Sequence, residues 1–139
     1  MTSEPERNKE LLQRAYARWH ETKGGSVNDW LNIVDEKVSF GSLAEGRDMA
    51  PFTARANGKQ QLAGFLSGIV SEWTMLHFTA DHFIAEGDRV VMVGSMAWKS
   101  KKTGKTFESS KVDVWRLRDG KAIDYYEWYD TAALAQAAS

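Results

Sequence analysis

The sequence predicts an α+β domain, with helices first and then a curved antiparallel sheet whose one face they cover. Three observations lead there. Apolar residues recur at helical spacing over residues 11–19 and 62–73. Beyond Trp73 the texture changes to runs rich in Val, Phe, Thr and Trp. Those runs are separated by "EGD", "KKTGK" and "RDG", each a hairpin signal. Three helices laid over such a sheet would close a cone around an apolar cavity.

The elements follow in order. Ser3 and Glu6 form an S-x-x-E capping box with Pro5 in the first turn, so a helix starts there. Leu11, Leu12, Ala15, Tyr16 and Trp19 make its buried face, and Gly24-Gly25 ends it. A second box, "SVND", opens a short helix through Trp30, Leu31 and Val34, and "KVSFGS" reads as a first strand. Residues 43–58, "LAEGRDMAPFTARANG", have no period and read as a loop, long enough for a lid or cavity rim. From Lys59, Leu62, Phe65, Leu66, Ile69, Val70 and Trp73 lie on one helix face. Four antiparallel strands are then predicted at about 74–85, 89–99, 105–117 and 121–129, and "TAALAQAAS" adds a final helical turn.

The chain has 139 residues, no linker and no repeat, so residues 1–139 form one domain. A net charge of −1 leaves no basic footprint for nucleic acid. Without cysteine there is no disulfide, thiol nucleophile or thiolate metal site. The start "MTSEPERNKE" is polar and acidic, unlike a signal peptide, and no apolar run is long enough to span a membrane. A cytoplasmic protein is the expectation. Six Trp, six Phe and four Tyr are many rings for this length, and they fill a core or line a ligand cavity or a subunit interface.

The stretch "KVDVWRLRDGKAIDYYEWYD" raises the chemical question, because it sets Lys111, Asp113 and Glu127 among bulky apolar residues. Two hairpin registers are open. A two-residue Asp119-Gly120 turn would put Asp113 and Glu127 on opposite faces. A three-residue loop with Gly120 in a left-handed bulge would pair Leu117 with Lys121. The hydrophobic pattern favours the second, since Trp115 and Leu117 then share a face with Ile123, Tyr125 and Tyr129. Lys111 would fall directly across from Glu127, about 5 Å between Cβ atoms, with Asp113 on the diagonal at roughly 7 Å. Such a trio is either an edge salt bridge with Asp113 bonded elsewhere, or an acid–base pair of two carboxyls in unlike surroundings.

The capped helices, the "FGS" strand, the "G-K-x-x-L" helix start and the meander ending "DGKAIDYYEWYD" together resemble the nuclear transport factor 2-like superfamily. The SnoaL-like polyketide cyclases look nearest, with ketosteroid isomerases and limonene-epoxide hydrolases as cousins. The resemblance implies a cone-shaped α+β fold, an apolar pocket and a dimer through the outer sheet face. "VDVWRL" is similar to the isomerase strand whose protonated aspartate serves the oxyanion hole, a role that would fall on Asp113, and the isomerase phenol would fall on Tyr16. Where the isomerases carry a basic aspartate, this chain has Phe40, Gly41 and Ser42. Lys111, Asp113 and Glu127 resemble the Arg-x-Asp and Asp of the epoxide hydrolases, whose water-holding tyrosine and asparagine would land on Phe40 and Ser42.

His20, His77 and His82 lack zinc spacing, and in a regular strand His77 and His82 would point to opposite faces, so no metal is expected. No phosphate loop or dinucleotide fingerprint occurs, so no cofactor is expected. Tyr126, Trp128, Val112 and Val114 would form an apolar outer face suited to a homodimer contact, with Asp124 and Asp130 at its rim. The resulting expectation is a cofactor-independent acid–base enzyme acting on a small hydrophobic, oxygen-bearing substrate by isomerisation, ring closure or water addition. Asp113 would be acid or oxyanion donor, Glu127 the base and Lys111 their electrostatic partner. Tyr16 and Tyr125 would orient a substrate walled by Trp19, Phe40, Trp98, Trp115 and Tyr129. The alternative is a noncatalytic module that binds a small lipophile or a protein partner.

Overall fold

A computed structural model describes residues 2–139. Helix α1 (Glu4–Glu21) begins where the capping box says, with Ser3 Oγ accepting from the Glu6 amide at 3.3 Å. Helix α2 (Val27–Ile33) forms without its expected cap, since Ser26 Oγ is buried and unbonded. It also stops one residue earlier than predicted, because Val34 opens strand β1 (Val34–Ser42). Residues 43–58 are less irregular than their sequence suggests, holding a 3₁₀ turn at Pro51–Thr53 and strand β2 (Ala56–Asn57). Helix α3 (Lys59–Glu72) buries Leu62, Phe65 and Leu66. Strands β3 (Trp73–Glu86), β4 (Arg89–Ser100), β5 (Thr106–Arg118) and β6 (Lys121–Trp128) follow. The tail forms a full helix, α4 (Thr131–Ala138), which Asp130 caps by accepting from the Ala133 amide at 3.0 Å. No helix of the described residues is long and apolar enough to cross a membrane.

The sheet runs β2-β1-β6-β5-β4-β3. It is mixed, not wholly antiparallel as predicted, because β1 pairs with β6 in parallel. Strand β1 returns to the sheet only through its long-range neighbour, so no hairpin dictates its direction. Helices α1 to α3 cover the concave face, as the order of the elements predicts.

Curvature has a local cause. Bulges between Met75 and His77, and again between Ala80 and His82, bend β3 over β4. A Cβ on Gly94 would lie 1.9 Å from the Thr79 carbonyl oxygen, so only glycine permits this crossing. The same bulges overturn the expected split of the two strand histidines. His77 sits opposite Ala97 and His82 opposite Val93, and both partners belong to the outward set of β4.

On that outer face two rows cross four strands. Ile84, Val91, Val114 and Tyr126 form one, and His82, Val93, Val112 and Trp128 the next. Trp128 is 42% exposed there.

Candidate active site

The last hairpin decides the site. Asp119 and Gly120 both have positive φ, 51° and 76°, which suits a two-residue turn pairing Arg118 with Lys121. The extra residue lies further on. Leu117 pairs with Ala122 but Arg116 pairs with Asp124, so Ile123 bulges out of the ladder. The predicted bulge at Gly120 is thus moved by three residues, and small Ala122 takes the buried place expected of Ile123. Beyond the bulge the alternation is reset, so Trp115 faces Tyr125 and Asp113 faces Glu127 on the inner side. Asp113 is therefore the directly opposed partner, and Lys111 is the diagonal one.

Three ionisable groups are buried together. Lys111 is 4% exposed, Asp113 0% and Glu127 9%. Taking each from water costs several kcal/mol unless its hydrogen-bonding capacity is met. Lys111 Nζ meets it with three donors, to Asp113 Oδ1 at 2.7 Å, Glu127 Oε1 at 2.7 Å and Tyr125 Oη at 2.9 Å. Tyr125 in turn donates to Glu127 Oε1 at 2.9 Å. The second Asp113 oxygen accepts from Tyr16 Oη at 2.5 Å, and Tyr16 accepts from Trp115 Nε1 at 2.8 Å. Every polar atom in this relay is engaged within the protein except Glu127 Oε2.

Burial and charge shift the titrations in opposing ways. Burial pulls the Lys111 ammonium down, but Asp113 and Glu127 together outweigh it and leave the pKa above the usual lysine value. Burial lifts the Asp113 carboxyl above the ordinary carboxylate range, with Lys111 pulling it back. Burial and then the Asp113 charge push the Tyr16 and Tyr125 phenols well above their usual value, and Tyr129 is pushed up to about 12 by burial and then Glu127.

The cluster borders an aromatic-walled cavity of about 70 Å³. Phe40 stacks on Tyr125 at 3.9 Å between ring centroids, and Trp30 on Trp115 at 5.5 Å. Tyr129 Oη bonds Ser42 Oγ at 2.6 Å and ties the residue 43–50 segment to the wall through the Ala44 amide at 3.2 Å.

The family model of the SnoaL-like domain matches residues 12–125. The chain belongs to the SnoaL-like family. No curated protein matches it. Among solved structures, a nuclear transport factor 2-like protein of Burkholderia xenovorans superposes with TM-score 0.81 at 24% identity, over 99% of this chain and 100% of the other. TerC, co-crystallised with polyporic acid, has TM-score 0.80 at 25% identity over 95% and 98%. A candidate SnoaL-like polyketide cyclase of Mesorhizobium loti has TM-score 0.74 at 14% identity over 92% and 100%.

Within this SnoaL-like domain all ten sequence-derived residues line the one cavity, namely Tyr16, Trp19, Phe40, Trp98, Lys111, Asp113, Trp115, Tyr125, Glu127 and Tyr129. Sequence reasoning missed Phe78, whose ring stacks on Tyr16 at 5.7 Å and lies 5.3 Å from Lys111 Nζ. Its inward aim depends on the β3 bulges, which no local pattern announces. Trp30 and Phe65 carried a signal, their helical spacing, but it reads equally as core.

The raised phenols make an alkaline prediction. A folded-state phenol that keeps its proton above pH 10 binds it more tightly than the unfolded chain does. Its contribution to stability is whole below pH 10 and lost as pH rises, and raised Lys111 acts in the same sense from its ordinary 10.5 upward. The urea midpoint of unfolding should fall between pH 10 and about 12, with tyrosinate absorbance arriving together with unfolding. Tyr125→Phe should flatten that fall. Full tyrosinate absorbance at pH 10 in a protein still folded by circular dichroism would contradict it.

Proposed function

We propose that this SnoaL-like protein is a cofactor-independent acid–base enzyme acting on a small, hydrophobic, oxygen-bearing compound. The observation that carries this reading is the one unengaged carboxylate oxygen. Glu127 Oε1 is gripped by Lys111 and Tyr125, while Oε2 has no partner in a residue that belongs to the cavity wall. A carboxylate paired with an ammonium at 2.7 Å, with one oxygen unbonded in a residue that lines an apolar chamber, is equipped to take a proton from a bound carbon or oxygen acid. Glu127 returns that proton at another substrate atom, which gives isomerisation or ring closure; in water addition it takes the proton from the water whose oxygen bonds the substrate and returns it to the substrate atom left negative. Asp113, with both oxygens occupied, fixes the ammonium. Tyr16 and Trp115 fix Asp113.

The cavity has room for several waters, and a ringed ligand requires its walls to part. The polyporic acid bound to TerC supports an organic ligand in this fold. The rival reading, a noncatalytic binding module, draws support from the completeness of the internal bonding and from the last residues of β1, where Phe40, Gly41 and Ser42 stand and no carboxylate does.

Deuterium exchange separates the two without knowledge of the natural substrate. In heavy water the protein should speed exchange at the α-carbon of a two-ring ketone such as 2-tetralone, followed by NMR, and Glu127→Gln should abolish the gain. Ketone binding without exchange in the wild type would leave only the binding module.

The two outer rows, apolar except at His82, lead us to assign a homodimer through that face. Light scattering should give twice the chain mass, and Val112→Lys with Trp128→Glu should halve it. A wild-type monomer at micromolar concentration would refute the assignment.

A further inference from the structure

Three buried side-chain atoms of the described residues have no hydrogen-bond partner: Asn8 Nδ2, Ser26 Oγ and Trp98 Nε1. Only Trp98 belongs to the cavity wall. It is 2% exposed, so bulk water does not replace the missing bond. Its cross-strand neighbours are Met75 and Phe107, and the Trp19 ring lies 6.3 Å away between centroids. None of these side chains offers a strong acceptor. An unbonded indole N–H in such a wall destabilises the folded chain, and a phenylalanine would keep an aromatic ring there without an unpaired donor.

We propose that Trp98 is a specificity-determining residue whose Nε1–H donates to an oxygen acceptor at the far end of the ligand. Its place in the sheet sets the ligand's reach. Gly94 of β4 is paired with Lys111, and Trp98 lies four residues further along the same inward set. At ~3.3 Å per residue the two ends of the cavity are about 13 Å apart along the strand. A fused two-ring compound with an oxygen substituent at each end, together with its terminal hydrogen bonds, matches that reach. The ligand class is therefore bifunctional, with an acidic proton at the Glu127 end and a carbonyl or hydroxyl oxygen at the Trp98 end. Only the first of these ends rests on the proposed function.

The test uses two probes that differ in the acceptor alone, 6-acetyl-2-naphthol and 6-ethyl-2-naphthol, titrated calorimetrically into wild type, Trp98→Phe and Glu127→Gln. The wild type should hold the acetyl compound about tenfold tighter than the ethyl one. Trp98→Phe should bind both alike, having lost the acetyl preference. Glu127→Gln should weaken both probes equally and keep the acetyl preference. An acetyl preference that survives in Trp98→Phe overturns the proposal. So does a wild type that binds neither naphthol or both equally. If Glu127→Gln binds both probes as the wild type does, the assignment of Glu127 fails while the Trp98 comparison stands by itself.

Discussion

Replacing Lys111 by methionine should cost about 3–5 kcal/mol of folding stability at neutral pH, read from urea denaturation. Methionine keeps most of the volume and contact with Phe78, so the loss reports charge and not packing. What remains is two carboxylates opposite one another across β5 and β6, one of them wholly buried, with no cation between them. The pH dependence gives a second handle. Burial already raises Asp113, and Lys111 is what pulls it down. Without the ammonium the folded Asp113 carboxyl binds its proton more tightly than the unfolded one, so the variant should regain stability as pH falls through that raised range. Combining Lys111→Met with Asp113→Asn and Glu127→Gln should recover most of the deficit. A single variant as stable as the wild type, with no gain on acidification, would mean that the trio does not stand ionised in the folded protein.

The second large effect is kinetic. Glu127→Gln should slow ketone exchange by about a hundred- to ten-thousand-fold, the usual worth of a positioned general base, while barely moving the melting temperature. The amide is isosteric, and its oxygen can still accept from Lys111 and Tyr125 at the Oε1 position. Asp113→Asn should behave in the opposite proportion. Its carboxylate is the fully buried one and holds both Lys111 and Tyr16, so losing its charge costs stability first and rate second. Equal rate losses in the two variants with equal melting shifts would refute this division of labour.

Much of this was legible in the sequence because each element carries its own local cause. Ser3, Glu6 and Pro5 start α1, the Leu62–Trp73 spacing makes α3, and Gly87, Gly104 and Gly120 mark the hairpins. That Asp113 and Glu127 share the inner face was legible too, since Trp115 and Tyr125 must be buried with them. The register was not. Asp119-Gly120 asks for a two-residue turn, yet a regular ladder from that turn would send Tyr125 outward. One residue has to be dropped, and the sequence does not say where. The chain drops Ile123, which lets Ala122 fit beneath the helices, and this exchanges the places of Lys111 and Asp113 opposite Glu127. The parallel pairing of β1 with β6 was hidden for a different reason. Nothing in "KVSFGS" names a partner more than eighty residues away, as the Phe40–Tyr125 pairing shows.

That pairing sets a timetable for the nascent chain. Strand β1 leaves the ribosome early but finds the neighbour that anchors it only when β6 emerges, and Tyr16 must likewise wait for Asp113. Synthesis thus produces helices and an open edge long before there is a chamber, and the polar relay is assembled in nearly the last event of folding.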